Sequence, residues 1–224
     1  MKIINNVQKA VKEILSDDRT GHGFDHIQRV LNLATLFASK EKVDITLISL
    51  IALLHDVDDY KLVGIESANL YKRSLSIMKA SGVEPELQKK VIKNIHHMGY
   101  SRYLEGVRPQ SKEGQLVSDA DMCDAIGANG LFRVFTYGQS KGQPFFLRDA
   151  FPQKSLNADT YRQQGSNHTI NHFFDKLLKL KDLMLTEPGK IEAKARHQFL
   201  VSFLDQFFKE EKADEWLQIL NNFR

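Results

Sequence analysis

Apolar residues recur along most of the chain at the spacing of a helix. Ile27, Val30, Leu31, Ala34 and Phe37 fall at i, i+3, i+4, i+7 and i+10, which gathers them on one helical face. Leu47, Ile48, Ile51, Leu54 and His55 repeat the rule on the next segment. The same spacing predicts helices over 5–15, 65–80, 85–97, 113–133, 170–185 and 190–211, with a short one over 214–221. No segment alternates convincingly in the period of a strand. The predicted fold class is all-α.

Breakers place the joints. Thr20-Gly21-His22-Gly23 forms a turn before the second helix, with Asp25 as its expected N-cap. Ser81-Gly82-Val83 closes one helix, and Pro85 opens the next at its first position. Periodicity stops over 138–168, where Gly138, Gly142, Pro144, Pro152 and Gly165 are interleaved with Phe145, Phe146, Phe151 and Tyr161. Aperiodic stretches this long inside a domain are usually functional or disordered, and we read this one as a lid-like loop. There is no internal repeat.

Composition narrows the function classes. The chain has 224 residues, 42% hydrophobic and 26% charged, enough for a core without disulfides. Its net charge of +3 suits an anionic ligand but falls short of a nucleic-acid-binding arm, so no stable nucleic-acid complex is expected. Cys123, the single cysteine, points to a reducing compartment. The N-terminal MKIINNVQKAVKEIL carries charges within its apolar stretch and does not read as a signal peptide. The longest apolar run, Ile45 to Leu54, is too short to span a bilayer and reads as a buried helix. The expectation is a soluble cytoplasmic protein.

Three elements carry chemistry. His55-Asp56 ends the apolar LISLIALL and is followed by Val57, Asp58 and Asp59. Such a cluster at the end of a buried helix is costly unless its charges are paired or bind a metal. Adjacent residues diverge by about 100° on a helix, yet both can share an ion seated over the helix end. His26 lies near the start of a helix in GHGFDHIQRV, and SDADMCD supplies Asp119, Asp121 and Asp124. Two imidazoles and two carboxylates suit a mixed site for Mn²⁺, Fe²⁺ or Mg²⁺, and Zn²⁺ is also accepted by such ligands. The plain alternative is ion pairing inside a helical bundle. Asp119 and Asp124 read as supporting or capping groups rather than ligands.

The pattern His26, then His55-Asp56, then Asp121 resembles the signature of the HD superfamily of metal-dependent phosphohydrolases. The phrases DHIQRV, LLHDVDDYK, SDADMCDAIGANG, FRVFTYG and INHFFDKLLKLKDLMLTEPGK look like a subgroup of small bacterial HD hydrolases. Cys123 stands where that family usually has Leu and is expected in the core. The resemblance implies a single HD domain over 1–224, with a metal-binding core at about 20–135, the lid-like loop at 138–168 and C-terminal helices over 169–224. It implies one divalent ion on His26, His55, Asp56 and Asp121. Mn²⁺ or Mg²⁺ is favoured, and Fe²⁺, Ni²⁺ or Zn²⁺ also suits the set.

The implied enzyme hydrolyses a small phosphate substrate, best a nucleoside triphosphate cut to monophosphate and pyrophosphate. Asp59 falls where the family has an acidic residue after the HD pair, and is expected to act as general base or hold the attacking water. Lys61 is expected to contact a phosphate and assist catalysis, and His97 to serve the leaving group or support the site. Arg29 and Arg133 are expected to meet the anionic substrate. A homodimer is compatible with this reading. The alternatives are a phosphomonoesterase or cyclic-nucleotide phosphodiesterase, a binuclear iron oxygenase of the same fold, and a non-catalytic nucleotide sensor. His96-His97 is one adjacent pair, which argues against a second metal.

Overall fold

The computed structural model describes residues 2–16, 23–152 and 167–224; the side chains of Tyr60, Lys61 and Ile65 fall outside that description. Among the described residues the regular elements are all helical. None of these helices is long and apolar enough to cross a membrane. The chain divides into two compact units, Met1–Asp121 and Met122–Arg224.

In the first unit, helix α1 (Lys2–Leu15) buries Val7, Val11 and Leu15, which are four residues apart. Helix α2 (Phe24–Ala38) buries Ile27, Val30, Ala34 and Phe37, the face its spacing predicts, together with His26. Helix α3 (Ile45–Leu54) buries every residue from Leu47 to Leu54. It packs against α1, α2 and helix α7 (Pro85–His96). Burial on all sides explains its uninterrupted apolar sequence. Asp44 caps α3, its carboxylate accepting from the Thr46 and Leu47 amides at 2.8 and 3.1 Å. Pro85 occupies the first turn of α7, as predicted.

Helix α9 (Lys112–Asp124) is tied to α7 at its N-terminus. Ser111 Oγ donates to Asn94 Oδ1 at 2.7 Å and accepts from the Gly114 amide at 3.0 Å. That anchoring fixes the helix that carries Asp121.

Three expected helices are interrupted, and the N-cap of α2 differs. The 65–80 segment divides into α5 (Ile65–Ala68), after the short α4 (Tyr60–Val63), and α6 (Lys72–Ala80). The break falls where Tyr71 takes a left-handed backbone, φ 49° and ψ 32°. The 113–133 segment divides between α9 and helix α10 (Gly127–Ser140), with Gly127 at the break in a left-handed backbone, φ +76°. The 170–185 segment becomes α11 (Thr169–Asp175) followed by a 3-10 turn over Leu177–Leu183. Gly23, not Asp25, caps α2; Asp25 lies inside the first turn and bonds Arg29 at 2.8 Å. Apolar periodicity cannot register these events because the buried stripe continues across each break.

In the second unit, α12 (Glu187–Glu210) packs against α10, the 3-10 turn and α13 (Asp214–Leu220). Its core is aromatic. The ring of fully buried Trp216 lies 5.2 to 5.5 Å from those of Phe146, Phe174 and Phe208. Of the aperiodic stretch, Gly138 to Ser140 end α10, and 153–166, with Tyr161, lie outside the described residues. The segment between is fastened down. The Thr169 and Ile170 amides donate to the carbonyls of Pro144 and Phe145, at 3.0 and 3.2 Å. Asn171 Nδ2 and His168 Nε2 both donate to the Ala150 carbonyl, at 2.8 and 3.0 Å. Trp216 Nε1 donates to the Arg148 carbonyl at 2.7 Å.

Candidate metal centre

Three elements of the first unit deliver four donor groups to one place. His26 comes from the first turn of α2 and is 1% exposed. His55 is the C-cap of α3, and Asp56 follows it in the turn. Placement over the helix end lets these two neighbours face one point. Asp121 comes from α9.

The donor atoms crowd together. His26 Nε2 lies 3.2 Å from His55 Nε2, 3.4 Å from Asp56 Oδ2 and 3.5 Å from Asp121 Oδ1. His55 Nε2 lies 3.7 Å from Asp56 Oδ1 and 3.7 Å from Asp121 Oδ1. Donors about 2.1 Å from one ion stand roughly 3.0–3.4 Å apart, so the set needs only a slight contraction. Ligand atoms of His26, His55 and Asp56 also satisfy the mutual separation of a metal cluster, within 4.8 Å.

The tautomer of His55 agrees. Its Nδ1 lies 2.8 Å from the Ala52 carbonyl. A carbonyl only accepts, so Nδ1 carries the hydrogen and Nε2 is left to face the cluster, the arrangement that orients metal-bound imidazoles. Burial alone lowers the basicity of His55, but the Asp56 and Asp121 carboxylates overcome it and push the pKa up to about 9. Burial likewise opposes ionisation of Asp121, yet the His55 and His26 imidazoles hold its carboxyl below the ordinary range. The donor set thus concentrates negative charge and calls for a cation. A proton and a metal compete for the same Nε2 lone pair. The residues present fit a divalent ion.

Most of the other candidate residues have partners of their own. Asp59 follows the turn, and its amide donates to the Asp56 carbonyl at 3.0 Å. Arg29 sits on α2 one turn beyond His26 and is bonded to Asp25. The Lys61 side chain is outside the described residues. His97 caps α7, with Nδ1 2.6 Å from the Lys93 carbonyl and its ring edge-on to His96. Arg133 belongs to the second unit and donates to Asp124 Oδ2 at 3.0 Å. Asp119 is fully buried. Cys123 is buried as expected, against Met184 and the Gly189 carbonyl.

Asp58 was not among the candidates. Its buried carboxylate accepts from the Arg73 amide at 3.0 Å, the Ser74 amide at 2.9 Å and Ser74 Oγ at 2.6 Å. It caps a helix 15 residues away in sequence, a pairing no local pattern reveals.

The HD domain profile matches residues 23–126, a span that encloses all four donors. Bacillus subtilis (strain 168) YpgQ is 33% identical over 214 residues, 94% of either chain. The chain belongs to the HD-domain superfamily. Solved structures of similar proteins superpose over nearly its whole length. A Lactobacillus plantarum protein is 34% identical with a TM-score of 0.84, covering 94% of this chain and 97% of its own. A Bacillus thuringiensis HD-superfamily hydrolase is 35% identical with a TM-score of 0.70, again covering 94% and 97%. YpgQ in complex with ADP superposes with a TM-score of 0.68 at 29% identity, covering 93% and 95%. Membership places the chain in a family of hydrolases that bind divalent metals.

Proposed function

We propose that this protein is a divalent-metal-dependent phosphohydrolase acting on nucleotides, with a nucleoside triphosphate cleaved to monophosphate and pyrophosphate as its best reaction. The observation that carries the reading is the convergence of His26, His55, Asp56 and Asp121, with His55 Nδ1 fixed on the Ala52 carbonyl. The relative crystallised with ADP supports nucleotide as the substrate class.

His26, His55, Asp56 and Asp121 would hold Mn²⁺ or Mg²⁺, the hard ions suited to carboxylate and imidazole with phosphate. When bound, such an ion supplies Lewis-acid polarisation of a phosphoryl oxygen and acidifies water toward neutral pH. The chain's own groups do the rest. Asp59 accepts the proton of the attacking water as general base. Arg29, one turn from His26, directs its guanidinium to the substrate phosphates when it exchanges Asp25 for them. Asp25 lies at the surface with a 76% exposed side chain, so that exchange costs little. Lys61 assists by charge from the segment following Asp59.

The test is a substrate screen on metal-stripped protein refilled in turn with Mn²⁺, Mg²⁺, Fe²⁺ or Zn²⁺. Triphosphate, monophosphate and cyclic nucleotides are compared, with His55→Ala and Asp121→Ala alongside. Pyrophosphate release from a triphosphate, lost in both variants, supports the reading. Release of inorganic phosphate alone, or activity surviving full chelation, contradicts it.

A further inference from the structure

The junction of α6, α7 and α8 (Tyr100–Leu104) holds polar chemistry that the four donors do not use. It begins at Tyr71, whose left-handed backbone is rare outside glycine. Such conformations persist where surrounding structure enforces them, and here Asp58 does so. By accepting from the Arg73 amide, the Ser74 amide and the Ser74 hydroxyl, Asp58 bolts the start of α6 to the turn that carries His55 and Asp56. Only Val57 lies between Asp56 and Asp58, at most about 7 Å of chain.

The side chains at this junction are mostly donors. The Tyr71 hydroxyl shares a hydrogen bond with His96 Nδ1 at 3.0 Å. Burial raises the Tyr71 pKa, Arg102 opposes that rise, and Asp58 adds to it, so the phenol lies within the field of both. Burial, then Arg102 and His97, hold His96 below its ordinary pKa, and Glu105 opposes them. The Arg102 guanidinium reaches Asn69 Oδ1 and Glu105 Oε2, each at 3.1 Å, and its side chain is 29% exposed. His97 spends Nδ1 on the Lys93 carbonyl, which turns Nε2 away from the helix backbone.

We propose that Tyr71, His97 and Arg102 form an anion subsite that receives the non-reacting phosphates of the substrate, held in register with the metal centre by Asp58. The inference rests on the nucleotide reading given above. A guanidinium, an imidazole and a phenol all hydrogen-bond phosphate oxygens. A second metal ion is disfavoured at the same place by the Arg102 charge. Both oxygens of Asp58 are engaged by the start of α6, which leaves Glu105 at the rim as the competing anion for Arg102.

The test uses the full chain loaded with Mn²⁺. Calorimetric titration measures the affinity for ADP and for inorganic pyrophosphate. Electron paramagnetic resonance measures the affinity for Mn²⁺ itself. Arg102→Ala should weaken ADP and pyrophosphate about tenfold or more, the loss of one charge-assisted contact. Arg102→Lys should recover part of that loss, and Mn²⁺ affinity should stay within about twofold. Tyr71→Phe, which removes one hydroxyl, should weaken both ligands about threefold and serves if Arg102→Ala does not fold. Binding of both ligands to Arg102→Ala and Tyr71→Phe at wild-type strength, with ADP binding lost in Asp121→Ala, would overturn the subsite and leave the nucleotide reading standing. Wild-type protein that binds Mn²⁺ but neither ligand would overturn both.

Discussion

Replacing Asp58 by alanine should destabilise the first unit out of proportion to the size of the change. The lost carboxylate satisfies three donors at the start of α6, and one of the residues supplying them, Ser74, is fully buried. Each buried donor left without a partner costs about 1–3 kcal/mol. Release of the carboxylate's own desolvation cost offsets part of that, and Arg73 is an exposed residue whose bond to Asp58 is only part-buried. Loss of a favourable charge at a helix N-terminus adds about 0.3–1 kcal/mol. The sum is about 2–4 kcal/mol, or a fall in Tm of roughly 5–15 °C for a chain of this size. Asp58→Asn keeps one acceptor oxygen but sets an amide N–H against a donor, and should lose about half as much. Thermal unfolding followed by circular dichroism measures the shift, and hydrogen exchange locates it. Exchange should accelerate first in α6. A Tm change below about 1 °C for Asp58→Ala, or unchanged α6 protection, would mean that Asp58 does not hold the start of α6.

Three further outcomes follow from the packing. A Cβ at Gly130 would lie 2.3 Å from the Ala125 carbonyl oxygen and 2.4 Å from its carbon; because backbone cannot yield as a side chain does, Gly130→Ala should cost about 1–3 kcal/mol in denaturant unfolding. Arg133→Ala should lower stability by about 1–3 kcal/mol, since it strips a hydrogen-bonded partner from the nearly buried Asp124 carboxylate; steady-state kinetics should keep kcat/KM within about twofold. Burial holds the His168 and His197 pKa values below 6.5, despite the bonds each ring makes to a backbone carbonyl. The unfolded state therefore binds more protons as pH falls. The stability these rings contribute is complete above about pH 6.5 and is lost as pH drops through that value toward their folded pKa values. Tm measured from pH 7.5 to 5 should fall less steeply in His168→Gln than in the wild type.

Much of the candidate metal centre was legible because its donor residues carry their own signals. His55 and Asp56 end a helix otherwise too apolar to tolerate them, and their position there lets both face His26 and Asp121. His26 and Asp121 were readable as chemistry, and their meeting at 3.5 Å needed the family pattern to be anticipated. Tyr71 and Asp58 were not legible. No glycine or proline marks the break before α6, and the cap that permits it comes from a distant turn. Arg133, read from sequence as a substrate contact, bonds Asp124, nine residues away, a pairing that neither residue type announces. Of the aperiodic stretch, the described residues 141–152 are irregular, but their composition could not show that 144–152 is fastened to the start of α11 and to Trp216.

We propose that His26, His55, Asp56 and Asp121 together hold one divalent ion. Metal-stripped protein titrated with Mn²⁺, with free ion counted by electron paramagnetic resonance, should show one tight site per chain. Affinity should fall about 100-fold or more in both His55→Ala and Asp121→Ala while each variant retains its helical circular dichroism. Undiminished Mn²⁺ binding in both variants, or no tight site in the wild type, would contradict it.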